Sequence, residues 1–259
     1  MTLSNCPLPR LFGSQTPDKE VVSGNQKLSK GPQTVALKLN LSQEKQNGKE
    51  FSAFGFKIII LSGIQMQSLP IHFLPSVLWY AHASKLEEFC LNIHTKFQRQ
   101  TPLNHCHILT ANGSFKLIVP ISSTGRKAAH LPIHEVQISY TDHWQALLIK
   151  TIRSAYGSSS FFLYYKDEFE DLVQNKPAYL WQYNLELINW LNSQFGFSPK
   201  IQISQSFMDN DEIPLIKMEE YRQVFGHKMD FVPGLSAIDL LFNLGPDAGE
   251  YLRGISLLR

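Results

Sequence analysis

Apolar positions follow two rhythms along this chain. Short continuous or alternating runs come first, and spacings of three and four come later. Lys57–Ser62 (KIIILS) is a β-branched apolar run, which predicts a buried strand, and Glu88–His94 predicts a second. Between them Pro75–Ala83 predicts a helix, with Pro75 in its first turn and Trp79 and Tyr80 in its body. Strand, helix and strand in succession point to an α/β domain. His105–Thr110 and Phe115–Ile121 then predict two strands joined through Ala111-Asn112-Gly113-Ser114. Asn-Gly is a strong hairpin signal because both residues tolerate positive φ. Glu135–Tyr140 (EVQISY) alternates, and predicts a third strand of that group.

After Tyr140 the rhythm becomes helical. Thr141 is placed to cap a helix with Asp142 in its first turn, and Trp144, Leu147, Leu148, Ile152 and Tyr156 form its apolar stripe. Phe161–Val173 carries Phe162, Tyr165, Phe169 and Leu172 on one stripe. Ala178–Phe195 carries Leu180, Tyr183, Leu187, Trp190 and Leu191. Trp144 and Trp190 are therefore expected to be buried. Ile201–Phe207 reads as one more strand. Ser236 and Asp239 have capping-box-like spacing before an apolar run. The expected fold class is α/β: a mixed sheet with a helical region inserted after the central strands.

Residues 1–56 break both rhythms. They are rich in Ser, Gln, Asn, Lys, Gly and Pro, and hold no Trp, Tyr or His. Such a composition cannot bury enough apolar area to offset the entropy of ordering. They are expected to form a polar, largely irregular extension, with the α/β domain spanning 57–259. The chain's net charge is +2, which gives no argument for a nucleic-acid partner. No run of 18 apolar residues is present, so no membrane span is expected. Three cysteines without CxxC spacing, and no secretory signal, point to a reducing, cytoplasmic compartment. No glycine-rich phosphate loop, GxSxG elbow or HExxH stands in the sequence, so the cofactor stays open.

Candidate chemistry concentrates in Gln98–Gly113, QRQTPLNHCHILTANG. His105, Cys106 and His107 resemble a metal cluster, but strand alternation points Cys106 away from both imidazoles, and no metal is assigned. The same alternation argues against a Cys–His nucleophile. Gln98, Arg99, Gln100, Asn104 and His105 are expected to contribute to one polar pocket, with His72 nearby. Amides in that number suit a polar ligand such as a sugar. Asn104→Ala is expected to leave melting nearly unchanged and to abolish ligand binding.

QRQTPLNHCHILTANG, the following LIVP, EVQISYTDHW, SAYG, YRQVFG at Tyr221–Gly226 and FVPGLSAIDLLFNLGPDAGEYL at Phe231–Leu252 stand in an order that resembles the WbqC-like protein family. The resemblance runs from about Leu69 to Leu252. It implies a bacterial cytoplasmic protein associated with surface-polysaccharide biosynthesis, including O-antigen and lipopolysaccharide. It implies that context and not a mechanism; the leading expectation is an enzyme, or an enzyme's partner, in surface-glycan precursor synthesis, a transfer to an activated sugar with a sugar or sugar nucleotide as ligand. The alternative is a non-catalytic binding or scaffold protein of the same pathway. The sequence departs from the family's usual R-N-R-C, which here is Leu103-Asn104-His105-Cys106. Leu148 stands where some members carry a His. If the family's cations hold an anion, that site is weakened here.

Overall fold

The structure is a computed structural model, and it describes residues 66–99, 101–122, 131–214 and 218–256. The predicted strand Lys57–Ser62 and the polar extension 1–56 lie outside the described residues. Among the described residues, five strands and six helices follow in the order β1 (Gln67–Pro70), α1 (Val77–Ala83), β2 (Glu88–Asn92), β3 (His105–Thr110), β4 (Gly113–Ile118), α2 (Trp144–Tyr156), α3 (Phe162–Gln174), α4 (Leu180–Gln194), β5 (Lys200–Ile203), α5 (Ala237–Leu244) and α6 (Ala248–Gly254). The α/β class holds. Parallel and antiparallel pairings both occur, in separate sheets: β1-β2-β5 is all parallel, and β3-β4 is a hairpin.

The central strand β2 is buried from Phe89 to Asn92, as expected of a parallel strand covered on both faces. α1 locks onto this sheet through Trp79, whose ring meets Phe89 edge-on at 5.9 Å and whose Nε1 donates to the Pro70 carbonyl at 3.0 Å. On the helical side, the Tyr80 hydroxyl donates to the Ile188 carbonyl of α4. α5 is the middle of the helical layer and touches α1, α3, α4 and α6. Gly245 ends it with φ of +57°, and a Cβ there would meet the Phe161 ring at 2.4 Å. Only glycine fits both demands.

Several local expectations are corrected. Ser76, not Pro75, opens α1: its hydroxyl accepts from the Trp79 amide. Thr141 does not cap α2, because its hydroxyl pairs with that of Ser139 and the helix starts three residues later. Leu147 is 66% exposed. At 3.6 residues per turn it lies about 120° from the centre of the Trp144–Leu148–Ile152–Tyr156 stripe. Trp144 and Trp190 are buried as expected. Glu135–Tyr140 keeps its alternation, with Val136 and Ile138 buried, but it forms only the isolated bridges Gln137–Tyr179 and Ile121–Ile138 among the described residues. In the hairpin, Asn112 keeps a negative φ and only Gly113 turns positive, at 99°.

Candidate functional site

The hairpin's two faces differ. Opposite residues in an antiparallel pair share a face, so Cys106, Ile108 and Leu117 point into the core, while His105, His107, Lys116 and Ile118 share the other side. β3 is held on both edges. Toward β4, the Val119 amide donates to the Asn104 carbonyl at 2.8 Å. On the opposite edge, the Ser236 amide donates to the His107 carbonyl at 2.8 Å, and the Leu109 amide donates to the Tyr156 hydroxyl at 3.2 Å. The loop after β1 is sewn to the same place. The Phe73 amide donates to the Pro102 carbonyl, and the Ser236 hydroxyl donates to the Leu74 carbonyl at 2.9 Å. Leu74 itself has φ of +41°. Such backbone strain in a branched residue persists only where the surroundings impose it, and it recurs at ligand clamps.

These ties bring His72, His105 and His107 around a cavity of about 180 Å³, bordered also by Cys106, Gly234 and Ser236. On its other flank His105 borders a second cavity of about 240 Å³, with Arg99, Asn104, Lys116, Phe97 and Ile118. Of the predicted residues, Arg99, Asn104 and His105 are thus together, and His72 joins them through His105. Gln98 is exposed and borders neither cavity. Gln100 lies outside the described residues. Asn104 also fastens the hairpin, because its Nδ2 donates to the Val119 carbonyl at 3.0 Å. Leu103 is buried and its carbonyl accepts from Asn184, so that position faces the core and not the cavity.

The imidazoles are kept neutral. Burial, and then the neighbouring His105, lower His72 to about 4. Burial, Lys116 and His107 lower His105, against a backbone bond to Thr101 that raises it. Burial and Lys116 lower His107. Burial pushes the Cys106 thiol far up, with a Ser236 hydrogen bond opposing, so no thiolate nucleophile forms there. Among the described residues no three His, Cys, Asp or Glu side chains are placed to hold a metal ion. The positive charge of the face comes from Arg99 and Lys116, and among the described residues no Asp or Glu borders either cavity.

The sequence reading left His107, Ser236 and Lys116 out of the pocket. The hairpin register carried the signal for Lys116: counting back from the Asn112-Gly113 turn pairs it with His107. Nothing local announced Ser236, which arrives from far along the chain.

A second polar cluster lies behind this face. Asp239 is fully buried. Its Oδ1 accepts from the Tyr156 hydroxyl at 2.8 Å, and its Oδ2 accepts from the Tyr221 hydroxyl at 2.7 Å and from Gln223 Nε2 at 3.4 Å. The expected capping box does not form: Ser236 bonds Leu74 and Asp239 bonds the tyrosines. The helix terminus is buried against other segments, and those segments supply stronger partners than the helix's own amides. At the carboxyl edge of the parallel sheet, Asn92 accepts from the His94 amide and the Ser204 hydroxyl, and His94 Nε2 bonds the Ser204 carbonyl. That edge satisfies itself.

The molecule is an α/β protein with two cavities built on a hairpin, one bordered by Arg99 and Lys116 and the other by His72, His105 and His107, and among the described residues no carboxylate borders either. The model of the WbqC-like protein family matches residues 71–215, which is more than half of the chain. The chain belongs to the WbqC-like protein family. No curated protein and no solved structure is significantly similar to it. The matched span contains both cavities' hairpin residues and ends before Tyr221, Ser236 and Asp239. Among the described residues no helix is long and apolar enough to cross a membrane.

Proposed function

We propose that the face around His105 binds a polar small molecule, a sugar or sugar nucleotide, in the biosynthesis of bacterial surface polysaccharide of the O-antigen type. The observation that carries this reading is the position of His105 as the wall shared by two cavities. Each cavity alone is smaller than the roughly 300 Å³ at which ligand sites usually begin, and together they fall within the usual range. The pathway is what the resemblance to the family implies. The reaction class that fits is transfer to an activated sugar in the cytoplasm. Incubating the full chain with sugar nucleotides and acyl donors, followed by mass spectrometry, should reveal a new mass that depends on His105. Absence of both turnover and binding across that panel would sink the reading.

A non-catalytic binding or scaffold role in the same pathway is favoured by one observation. The Cys106 thiol points into the core, away from the imidazole face, and burial holds it protonated, so the nucleophile nearest the imidazoles is idle. Ligand binding without turnover in the same experiment would select this second reading.

The domain proposal is that residues 57–259 fold without the polar extension 1–56. A chain starting near Phe54 should then melt within a few degrees of the full one. Loss of soluble protein on truncation would move the boundary.

A further inference from the structure

The smaller of the two cavities carries no formal charge on its walls. His72, His105 and His107 border it, and among the described residues no Lys, Arg, Asp or Glu does. Lys116, which depresses His105 and His107, borders the other cavity. The hydroxyls on the wall are already engaged. Ser236 donates to the Leu74 carbonyl at 2.9 Å and also bonds the Cys106 thiol, and Ser76 accepts from the Trp79 amide. Leu74, whose carbonyl takes the Ser236 bond, is held at φ of +41°, so this wall is set by the fold before any ligand arrives. The imidazoles keep hydrogen-bonding capacity to spare. His105 spends one ring nitrogen on the Thr101 backbone, a bond that favours a proton on that nitrogen. In the neutral ring the other nitrogen is then a bare acceptor. His72 is half-buried and His107 exposed, and neither ring makes a hydrogen bond to another described residue. Each of these neutral rings offers one donor and one acceptor.

These groups select for an uncharged ligand. An ionised group taken out of water needs a counter-charge, and this wall supplies none without first protonating an imidazole. A hydroxyl needs an acceptor and a donor, which neighbouring neutral imidazoles supply together. At about 180 Å³ the cavity is below the roughly 300 Å³ at which ligand sites usually begin, so it takes one part of a ligand. We propose that the His72–His105–His107 cavity is the subsite for an uncharged, hydroxyl-bearing ring, one of whose hydroxyls donates to the bare nitrogen of His105 while its neighbours meet His72 and His107. The placement rests on the reading of the His105 face as a ligand site. It gives the imidazoles the sugar ring of a sugar nucleotide and leaves the nucleotide outside them.

The test is isothermal titration and saturation-transfer NMR of the full chain with UDP-glucose, UDP-galactose and UDP-N-acetylglucosamine, with the corresponding methyl hexosides, and with UDP. At least one sugar nucleotide should bind roughly tenfold more tightly than UDP. More saturation should reach its hexose protons than its uracil protons, and its methyl hexoside should compete with it. His105→Leu removes the acceptor and should abolish that preference over UDP, while His105→Gln keeps an acceptor oxygen and should retain part of it. His107→Leu, at an exposed position, should lower the preference roughly threefold with the melting temperature nearly unchanged. A merely structural His105 would weaken sugar nucleotide and UDP alike. UDP binding as tightly as every sugar nucleotide, or saturation centred on uracil, overturns the inference and leaves the ligand reading standing. A preference for the sugar that survives both leucine variants overturns it as well. If no probe binds, both fall.

Discussion

Asp239 and His105 are both nearly inaccessible polar side chains, 0% and 6% exposed, and a few bonds link their surroundings. Yet they are opposites. Every oxygen of Asp239 has a protein donor: Tyr156, Tyr221 or Gln223. Gln223 is fixed in turn, its Nε2 donating to the Val232 carbonyl and its Oε1 accepting from the Val232 amide. Such closure leaves no place for a ligand. Around His105 the side chains gather charge of one sign and border two cavities. A buried polar cluster closed by its own chain stabilises the fold, whereas one that borders open volume has room for a partner. The closed cluster also supports the open one. The Tyr156 hydroxyl, held by Asp239, accepts from the Leu109 amide on one edge of β3, the same edge on which Ser236 holds His107.

The largest effect should therefore come from Asp239. Asp239→Ala leaves two buried hydroxyls and an amide without their acceptor, and should cost roughly 3–5 kcal/mol in urea unfolding. A loss under about 1 kcal/mol would erase the distinction between the two clusters. The sign of its pH dependence is also set. Burial raises the Asp239 carboxyl, opposed by its three donors, so the folded state binds a proton more readily than the unfolded state. Its contribution is greatest in acid and falls as pH rises through the raised pKa. Asp239→Asn should remove that decline.

Tyr156→Phe is next. It removes one donor to a carboxylate and the partner of the Leu109 amide, and should cost about 1.5–3 kcal/mol. Hydrogen exchange at Leu109 should quicken in the variant, by more than the global loss of stability explains. Exchange that merely follows global unfolding would mean that Tyr156 does not hold the hairpin edge.

This contrast was half legible in the sequence. The stripes of α3 and α4 were read from spacing, because a buried face at period 3.6 depends on local order alone. The hairpin was read from Asn112-Gly113, and its register contained Lys116. Asp239 was read as a helix-capping group, since nothing near it in sequence foretells Tyr156 and Tyr221. Its partners lie 83 and 18 residues away. Glu135–Tyr140 has the alternation of a strand, and only the fold shows that it meets its neighbours at isolated bridges. Periodicity reports which side of a segment is buried, and tertiary placement decides what it is buried against.

Asn104 tests the boundary between the clusters. It borders the cavity and also bonds the Val119 carbonyl, so Asn104→Ala should cost about 1 kcal/mol as well as weakening ligand binding. Unchanged melting with lost binding would assign the amide wholly to the ligand. Lost stability with intact binding would assign it to the closed kind of cluster. For exposed His107, truncation to Ala should shift stability by no more than about 0.5 kcal/mol, and its effect should be confined to ligand affinity.

The remaining effect is a slope. His72 titrates near 6.5 in the unfolded chain and at about 4 in the folded one, through burial and the neighbouring His105. Between those values the unfolded chain binds the proton and the folded chain does not, so stability falls as pH drops from about 6.5 toward 4. His105 and His107 are lowered too and add slope of the same sign. Asp239 slopes the other way. Unfolding free energies measured at intervals from pH 7 to pH 4 should therefore show a flatter acid limb in His72→Gln than in the natural chain. Equal slopes with and without His72 would mean that its ring is protonated as readily in the fold as in water. The His105 face would then be wetter, and less distinct from ordinary surface, than its geometry indicates.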